Sequence, residues 1–475
     1  MRRKKYFIGV MAGFVLSVLS AVKPPAPILP IPDARQIEWQ KTELSMFLHF
    51  GMNTFTNREW GTGSEDPVLF NPTRLDADQW TDTAKRAGFG RVILTAKHHD
   101  GFCLWSSRYT GHSVQSSPWK NGKGDVVREF VEACLKTGLK PGLYLSPWDR
   151  HEPSYGDSPV YNSHYAGQLR ELITENGPIA EVWFDGACGE GPNGKKQEYD
   201  FPVFRALVRQ LAPGAVMFSD EGPDVRWIGN ENGFAGETCW AMMDRSRVKI
   251  GNADTGYLNT GDESGPDWVP GECDVSIRKG WFWHPDEAPK SLAELLDIYF
   301  KSVGRNGILL LNVPPNREGR IDDRDAGRLM ELRFAIDRIF SKDFARGRLI
   351  RVESVRGGAK DYGPWNASDG NPATFWATDD TVRSGWIEAD LGEPKTFNVV
   401  RIEEPIAYGQ RIRKYRIEIP DGASWKIVAS GTTVGRKKLD RFPAVRADRV
   451  RLVIESTRAC PLVSEFGVHF CPFEF

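Results

Sequence analysis

Residues 181–188 read Glu181-Val182-Trp183-Phe184-Asp185-Gly186-Ala187-Cys188. The apolar run from Ile179 to Phe184 predicts a buried strand, and Asp185 stands where that strand should end. In a βα-barrel the reacting groups sit at the C-terminal ends of the strands. A lone carboxylate there, beside the Trp183 indole and given space by Gly186 and Ala187, is placed to attack a sugar. Taken alone, the same pattern also describes a turn or a helix cap. The rest of the chain decides between them.

Working outward, apolar strands alternate with amphipathic helices from about residue 40 to 340. The strands are expected at Ser45–Phe50, Arg91–Ala96, Lys140–Ser146, Ile179–Phe184, Ala215–Ser219, Val275–Arg278 and Ile308–Val313. Helical periods fall at Asp76–Ala87, Val126–Leu139, Tyr165–Glu175, Val203–Leu211, Ser291–Val303 and Asp323–Phe340. Strands that alternate with helices imply a parallel sheet, and this many units imply a closed (β/α)8 barrel rather than an open sheet. One strand, placed near Cys239, is poorly marked. Residues 240–272 are rich in Gly and Asp and are expected to form long loops over the active face. From about Leu349 the texture changes to short β-rich runs with turn residues between them, the pattern of a β-sandwich. The organisation expected is a signal peptide over 1–21, a Pro-rich linker over 22–37, a (β/α)8-like catalytic domain over 38–343 and a β-sandwich over 348–475.

The N-terminus supports export. A basic head, Met1-Arg2-Arg3-Lys4-Lys5, precedes an apolar run from Phe7 to Ala21 that ends in small residues. The run is too short for a convincing membrane span, so no stable span is expected after signal removal. Pro24 to Pro32 reads as a stiff linker. The expected destination is the periplasm or the medium of a bacterium. The chain carries 62 basic and 63 acidic residues, which gives no basic face for nucleic acid. Sixteen Trp in 475 residues suit a carbohydrate site, because indole faces stack on sugar C–H groups. The seven Cys are scattered, without a CxxC. They make no disulfide framework and no zinc pattern. A single Cys460–Cys471 bridge stays open beside the simpler reading of buried thiols.

Several strand ends carry groups that can converge into one sugar pocket. The first leads to His49, Glu59 and Trp60, the second to His98 and His99, the third to Tyr144, and the fourth to Trp183 and Asp185. As metal ligands, His98 and His99 would need an irregular backbone, because neighbouring strand residues point to opposite faces. Glycosidic cleavage needs two carboxyl groups, a nucleophile and a proton donor of raised pKa. After Asp185 the candidates for the second acid are Glu221, Glu231 and Glu237. Arg226 is expected to hold a carboxylate ionised.

The combination His49-Phe50-Gly51, Glu59-Trp60, Lys97-His98-His99-Asp100-Gly101-Phe102, Trp183-Phe184-Asp185-Gly186 and Asn312-Val313-Pro314-Pro315 resembles the α-L-fucosidases of glycoside hydrolase family 29 over about residues 38–340. The resemblance implies a retaining mechanism with Asp185 as nucleophile. It implies fucose contacts from His49, Glu59, Trp60, His98, His99, Tyr144 and Trp183, with a further aromatic from Trp281 or Trp283. The stretch from Gly222 to Glu231 resembles the branch that prefers α-1,3 and α-1,4 fucosides. That implies Glu231 as acid/base, with Glu237 in reserve, and poor action on simple aryl fucosides. Fucosylated oligosaccharides or glycoconjugates are the implied partners, and no cofactor is expected for catalysis. The segment Ala367 to Trp376 resembles the discoidin-like, galactose-binding-like sandwich. There the resemblance implies a structural calcium at Asp369, Thr374 and Glu465, beside the alternative of a loop without metal. Two rival readings stand: a retaining glycosidase for another sugar, such as galactose, and a protein that captures glycans without cutting them.

Overall fold

The computed structural model describes residues 22–475. The signal-peptide reading therefore lies outside the described residues. Eight strands close a parallel barrel: β1 (Leu44–Leu48), β2 (Arg91–Lys97), β3 (Lys140–Leu145), β4 (Glu181–Trp183), β5 (Val216–Ser219), β6 (Val225–Trp227), β7 (Gly271–Ser276) and β8 (Ile308–Asn312). Their hydrogen-bonded order is β1-β8-β7-β6-β5-β4-β3-β2, returning to β1. Seven of them fall on the runs read from the sequence. The eighth is β6, upstream of the position expected near Cys239. It is three residues long and carries a charge, Arg226, at its centre. Cys239 instead packs outside it in a small apolar cluster with Ile228, Ala235 and Cys273.

Five of the six long helices that follow barrel strands begin on side-chain caps, Ser158–Glu175 being the exception. Asp76, Asp125, Asp200, Ser291 and Asp322 each accept a backbone N–H in the first turn of the helix that follows. No helix separates β5 from β6, whose connection is a tight turn. Between β6 and β7 the chain makes a long excursion, of which Glu231 and residues 251–253 and 255 reach the cavity. It includes the short helix Thr255–Thr260 and the pairing of Met242–Met243 with Asp267–Trp268.

The segment expected as a linker over 22–37 is not one. Helix Ala34–Lys41 starts at Asp33 with a capping box closed by Gln36. Its Trp39 plugs the barrel floor among Phe47, Ile93, Val216 and Ile308. Upstream of it the Pro-rich chain lies on the C-terminal domain. Arg411 donates to the Ala26 carbonyl at 2.6 Å, and Ile28 N–H to the Tyr408 carbonyl at 3.1 Å.

Above Trp39 sits a buried polar layer. Arg91 pairs with Glu181 at 3.2 Å, and Trp39 Nε1 donates to Glu181 at 3.1 Å. Trp183 Nε1 donates to Glu272 at 2.9 Å. Burial, with Glu181 nearby, pushes the Glu272 carboxyl well above the usual range, which favours its protonated form under the cleft.

The C-terminal domain is an antiparallel sheet in the order 349–352, 385–403, 438–457, 412–421, 424–432, with 465–469 added to 385–403. Register shifts between Asp390 and Lys395 and between Phe397 and Val399 bend the long strand, so one strand serves both ends of the sandwich core. All seven cysteines are free. The Cys460–Cys471 bridge is absent: Cys460 faces Arg411 at 3.2 Å, and the Cys471 thiol donates to the Phe473 carbonyl. Among the described residues no helix is long and apolar enough to cross a membrane.

Candidate active site

The strand ends open into a cavity of about 690 Å3. Asp185 follows β4 directly. Its Oδ2 accepts from the Tyr144 hydroxyl at 2.8 Å and its Oδ1 from Ala187 N–H at 2.7 Å. Both donors are aimed at a negative charge, the form a nucleophile needs. Gly186 is required next to it, because a Cβ there would lie 2.6 Å from Gly251 N. The same Gly251 N–H donates to Asp220 at 2.7 Å. Burial, backed by the Asp185 charge, raises Asp220 to about 6.

Three imidazoles line one wall. His49 Nδ1 meets Asn312 Oδ1 at 2.9 Å, and Asn312 donates its own N–H groups elsewhere, so His49 is the donor. Asn53 donates to His98 Nδ1 at 3.3 Å while also bonding the Glu59 carbonyl, so His98 accepts. His99 Nδ1 donates to Ser146, whose hydroxyl is committed to the Trp148 carbonyl, and His99 Nε2 lies 3.8 Å from Asp185. Burial lowers all three: His49 to about 3, His99 to about 4 and His98 well below the usual value. They are neutral hydrogen-bonding groups for hydroxyls. Beneath them Lys97 is buried against Asp149 at 2.8 Å and Gln168 at 2.9 Å. Gly101, at φ +79°, turns the chain where a Cβ would meet Asp149 Oδ1 at 2.4 Å.

The opposite wall carries the second acid. Glu231 lies in the loop after β6 at the exposed lip of the cavity. It accepts from Trp281 Nε1 at 3.2 Å. Withdrawal of its carboxyl from water raises its pKa; the Trp281 hydrogen bond opposes that, and Asp185 and Glu59 add to it. Glu59 is fixed by Trp281 N–H at 2.7 Å and His284 Nε2 at 2.6 Å. Trp183 forms the floor, stacked on Phe218 with centroids 4.0 Å apart. Trp60 stands 61% exposed at the rim, edge-on to His99.

Ten of the expected residues therefore meet: Asp185, Glu231, His49, Glu59, Trp60, His98, His99, Tyr144, Trp183 and Trp281. Three do not. Arg226, expected beside the carboxylates, is fully buried behind the cavity. It donates to the carbonyls of Leu258 at 2.8 Å and Trp240 at 2.9 Å, and so ties the long excursion to β6. Trp283 turns away to Asp322 at 3.3 Å. Glu237, the reserve acid, has a side chain 86% exposed and lines a separate cavity between barrel and sandwich.

The expected calcium ligands are not assembled. Asp369 accepts from Asn371 N–H and the Thr374 hydroxyl, and its carbonyl accepts from the Arg346 guanidinium at 2.6 Å. Glu465 pairs with Arg401 at 3.0 Å. Donors already filled by protons and a guanidinium do not fit a divalent cation. Among the described residues no group of three or more His, Cys, Asp or Glu gathers as a metal site.

Sequence reasoning missed Asp220, Asp274, Trp227 and the loop 251–255, all of which line the cavity. Asp220 follows β5 as Asp185 follows β4, so the strand-end rule applied once more finds it. Asp274 was hidden because β7 was expected to start only at Val275.

With this geometry in hand, the comparisons are specific. The α-L-fucosidase family model matches residues 31–333, and an F5/8 type C domain matches residues 350–466. Alpha-L-fucosidase 1 of Arabidopsis thaliana is 50% identical over 459 residues, 96% of this chain and 90% of that protein. The structure named SpGH29 superposes with a TM-score of 0.90 at 41% identity, over 94% of this chain and 100% of that one. A Ruminococcus gnavus GH29 fucosidase in complex with fucose gives a TM-score of 0.88 at 38% identity, over 94% and 96%. The chain belongs to the α-L-fucosidase family, as a glycoside hydrolase of that activity with a C-terminal F5/8 type C domain.

Proposed function

We propose that the enzyme removes terminal fucose from α-1,3- and α-1,4-linked glycans with retention of anomeric configuration. The observation that carries the reading is that Asp185 and Glu231, 46 positions apart in the sequence, line one cavity. Asp185 attacks the anomeric carbon as the bond to the leaving oxygen breaks, and Glu231 gives that oxygen its proton. A covalent fucosyl ester on Asp185 results. Glu231, now a carboxylate, takes a proton from water, which attacks the same carbon and frees Asp185. Two inversions leave the configuration unchanged. The neutral imidazoles and the Trp183 floor hold the sugar while charge develops on the ring.

The linkage reading rests on the stretch from Gly222 to Glu231, and export rests on the basic head and apolar run that open the chain. Asp185→Ala is expected to abolish turnover with the fold intact. Glu231→Ala is expected to leave slow hydrolysis that azide partly restores. NMR of the first-formed sugar, before mutarotation, should show α-fucose; β-fucose would rule out retention. Lewis-type trisaccharides should be cut faster than 2′-fucosyllactose or an aryl fucoside, and the reverse order would remove the linkage assignment.

A further inference from the structure

Along β7 the residues that point into the barrel are polar. Glu272 supports Trp183, Asp274 reaches the cavity, and Ser276 bonds Asn312 at 2.9 Å. Asp274 is 3% exposed. Its Oδ1 accepts from Trp227 Nε1 at 2.8 Å, and its Oδ2 makes no hydrogen bond to any described residue. A buried carboxyl group with one oxygen filled and the other unpaired beside the cavity is open to a partner from the ligand. The mechanism above does not use it.

We propose that Asp274 is a sugar-binding residue, its unpaired Oδ2 meeting a ring hydroxyl of the bound fucose between Asp185 and Glu231. This rests on the cavity being the fucose site. The titratable groups that face Asp274 are carboxyls: Glu231 across the cleft, Asp185 at the end of β4 and Glu272 below on its own strand. Burial, reinforced by Glu231, pushes its carboxyl well above the usual range. That favours its protonated form. With Oδ1 occupied by the indole N–H, the proton belongs on Oδ2, where the group donates to a sugar oxygen. A neutral donor there also spares the cleft a third negative charge, which would draw the proton of Glu231 more tightly and slow its transfer.

The proposal separates two substitutions of similar size. Asp274→Asn keeps an acceptor for Trp227 and puts an amide N–H where the acid proton stood, so kcat/KM on a fucoside should stay within about tenfold of wild type. Asp274→Leu removes the donor and should lower kcat/KM by about a hundredfold, as expected when a site built to hydrogen-bond a hydroxyl loses its group. The deciding measurement is a cycle between residue and substrate, using 2-, 3- and 4-deoxy-fucosides. In wild type each missing hydroxyl carries a penalty. In Asp274→Leu one of the three penalties should disappear, and that position is the hydroxyl Asp274 contacts. Equal penalties in both backgrounds would overturn the proposal, as would an Asp274→Asn variant as impaired as Asp274→Leu. Asp274→Ala, which crowds nothing, takes the place of Asp274→Leu if the latter does not fold. An Asp185→Ala control with normal turnover would show instead that the cavity is not the active site.

Discussion

At the residue scale the site works through opposite treatments of like groups. Asp185 is met by two donors, while Glu231 is pulled toward its acid form by loss of water and by the neighbouring Asp185 and Glu59 charges. This gives a pH dependence with a definite sign. The leaving oxygen needs the Glu231 proton, so kcat/KM should fall as pH rises through a carboxyl pKa above the usual value. Burial lowers the three histidines, His49 to about 3 and His99 to about 4, so the alkaline limb is not theirs. The Trp281 N–H bond to Glu231 favours the ionised form. Trp281→Phe keeps the bulk and removes the donor, so the Glu231 pKa should rise and the alkaline limb should move to higher pH. A pH–rate profile of the variant checks this, and movement to lower pH would contradict it.

At the element scale, what was legible followed from period and from strand ends. Seven strands and the main helices show as apolar runs and amphipathic periods, and His49, His98, Tyr144 and Asp185 stand where those runs stop. The rest was hidden for physical reasons. β6 is three residues with a buried arginine at its centre, because Arg226 is satisfied by carbonyls of the loop that crosses it. β7 begins four residues earlier than its apolar run, because its inward positions are carboxyls that serve the site and its floor. Helix Ala34–Lys41 was masked by the prolines before it, although Asp33 and Gln36 carry the capping box in plain view. That helix exists to deliver Trp39, which is fully buried and donates to Glu181. Trp39→Ala should cost about 3–5 kcal/mol, from the cavity it leaves and from an acceptor stripped of its donor. Chemical denaturation measures this, and a loss below about 1 kcal/mol would mean that the floor is closed by other groups.

At the scale of the whole molecule the two domains are joined by hydrogen bonds as well as by packing. Gln410, fully buried in the C-terminal domain, accepts from Ala241 N–H at 2.8 Å and donates to the Cys239 carbonyl at 3.1 Å. Both partners lie in the excursion that follows Glu231. Close by, Asn306 N–H donates to the Lys437 carbonyl at 2.9 Å, Leu439 N–H to the Gly304 carbonyl at 2.9 Å, and Lys437 pairs with Glu43 at 2.6 Å. These bonds join the sandwich to the N-terminal ends of β1 and β8 and to the excursion downstream of Glu231, the proposed acid/base. The domains should then unfold together, as a single calorimetric transition. Gln410→Ala leaves the buried Ala241 N–H without an acceptor and removes one of the two donors to the Cys239 carbonyl, the other being Asn306, at a cost of about 1–3 kcal/mol. It should lower that one transition and reduce kcat through a looser Glu231, while Asp185 stays in place on β4. Two separate transitions in the wild type would show that the interface contributes little, and the sandwich would then be a passenger on the barrel rather than a brace for it.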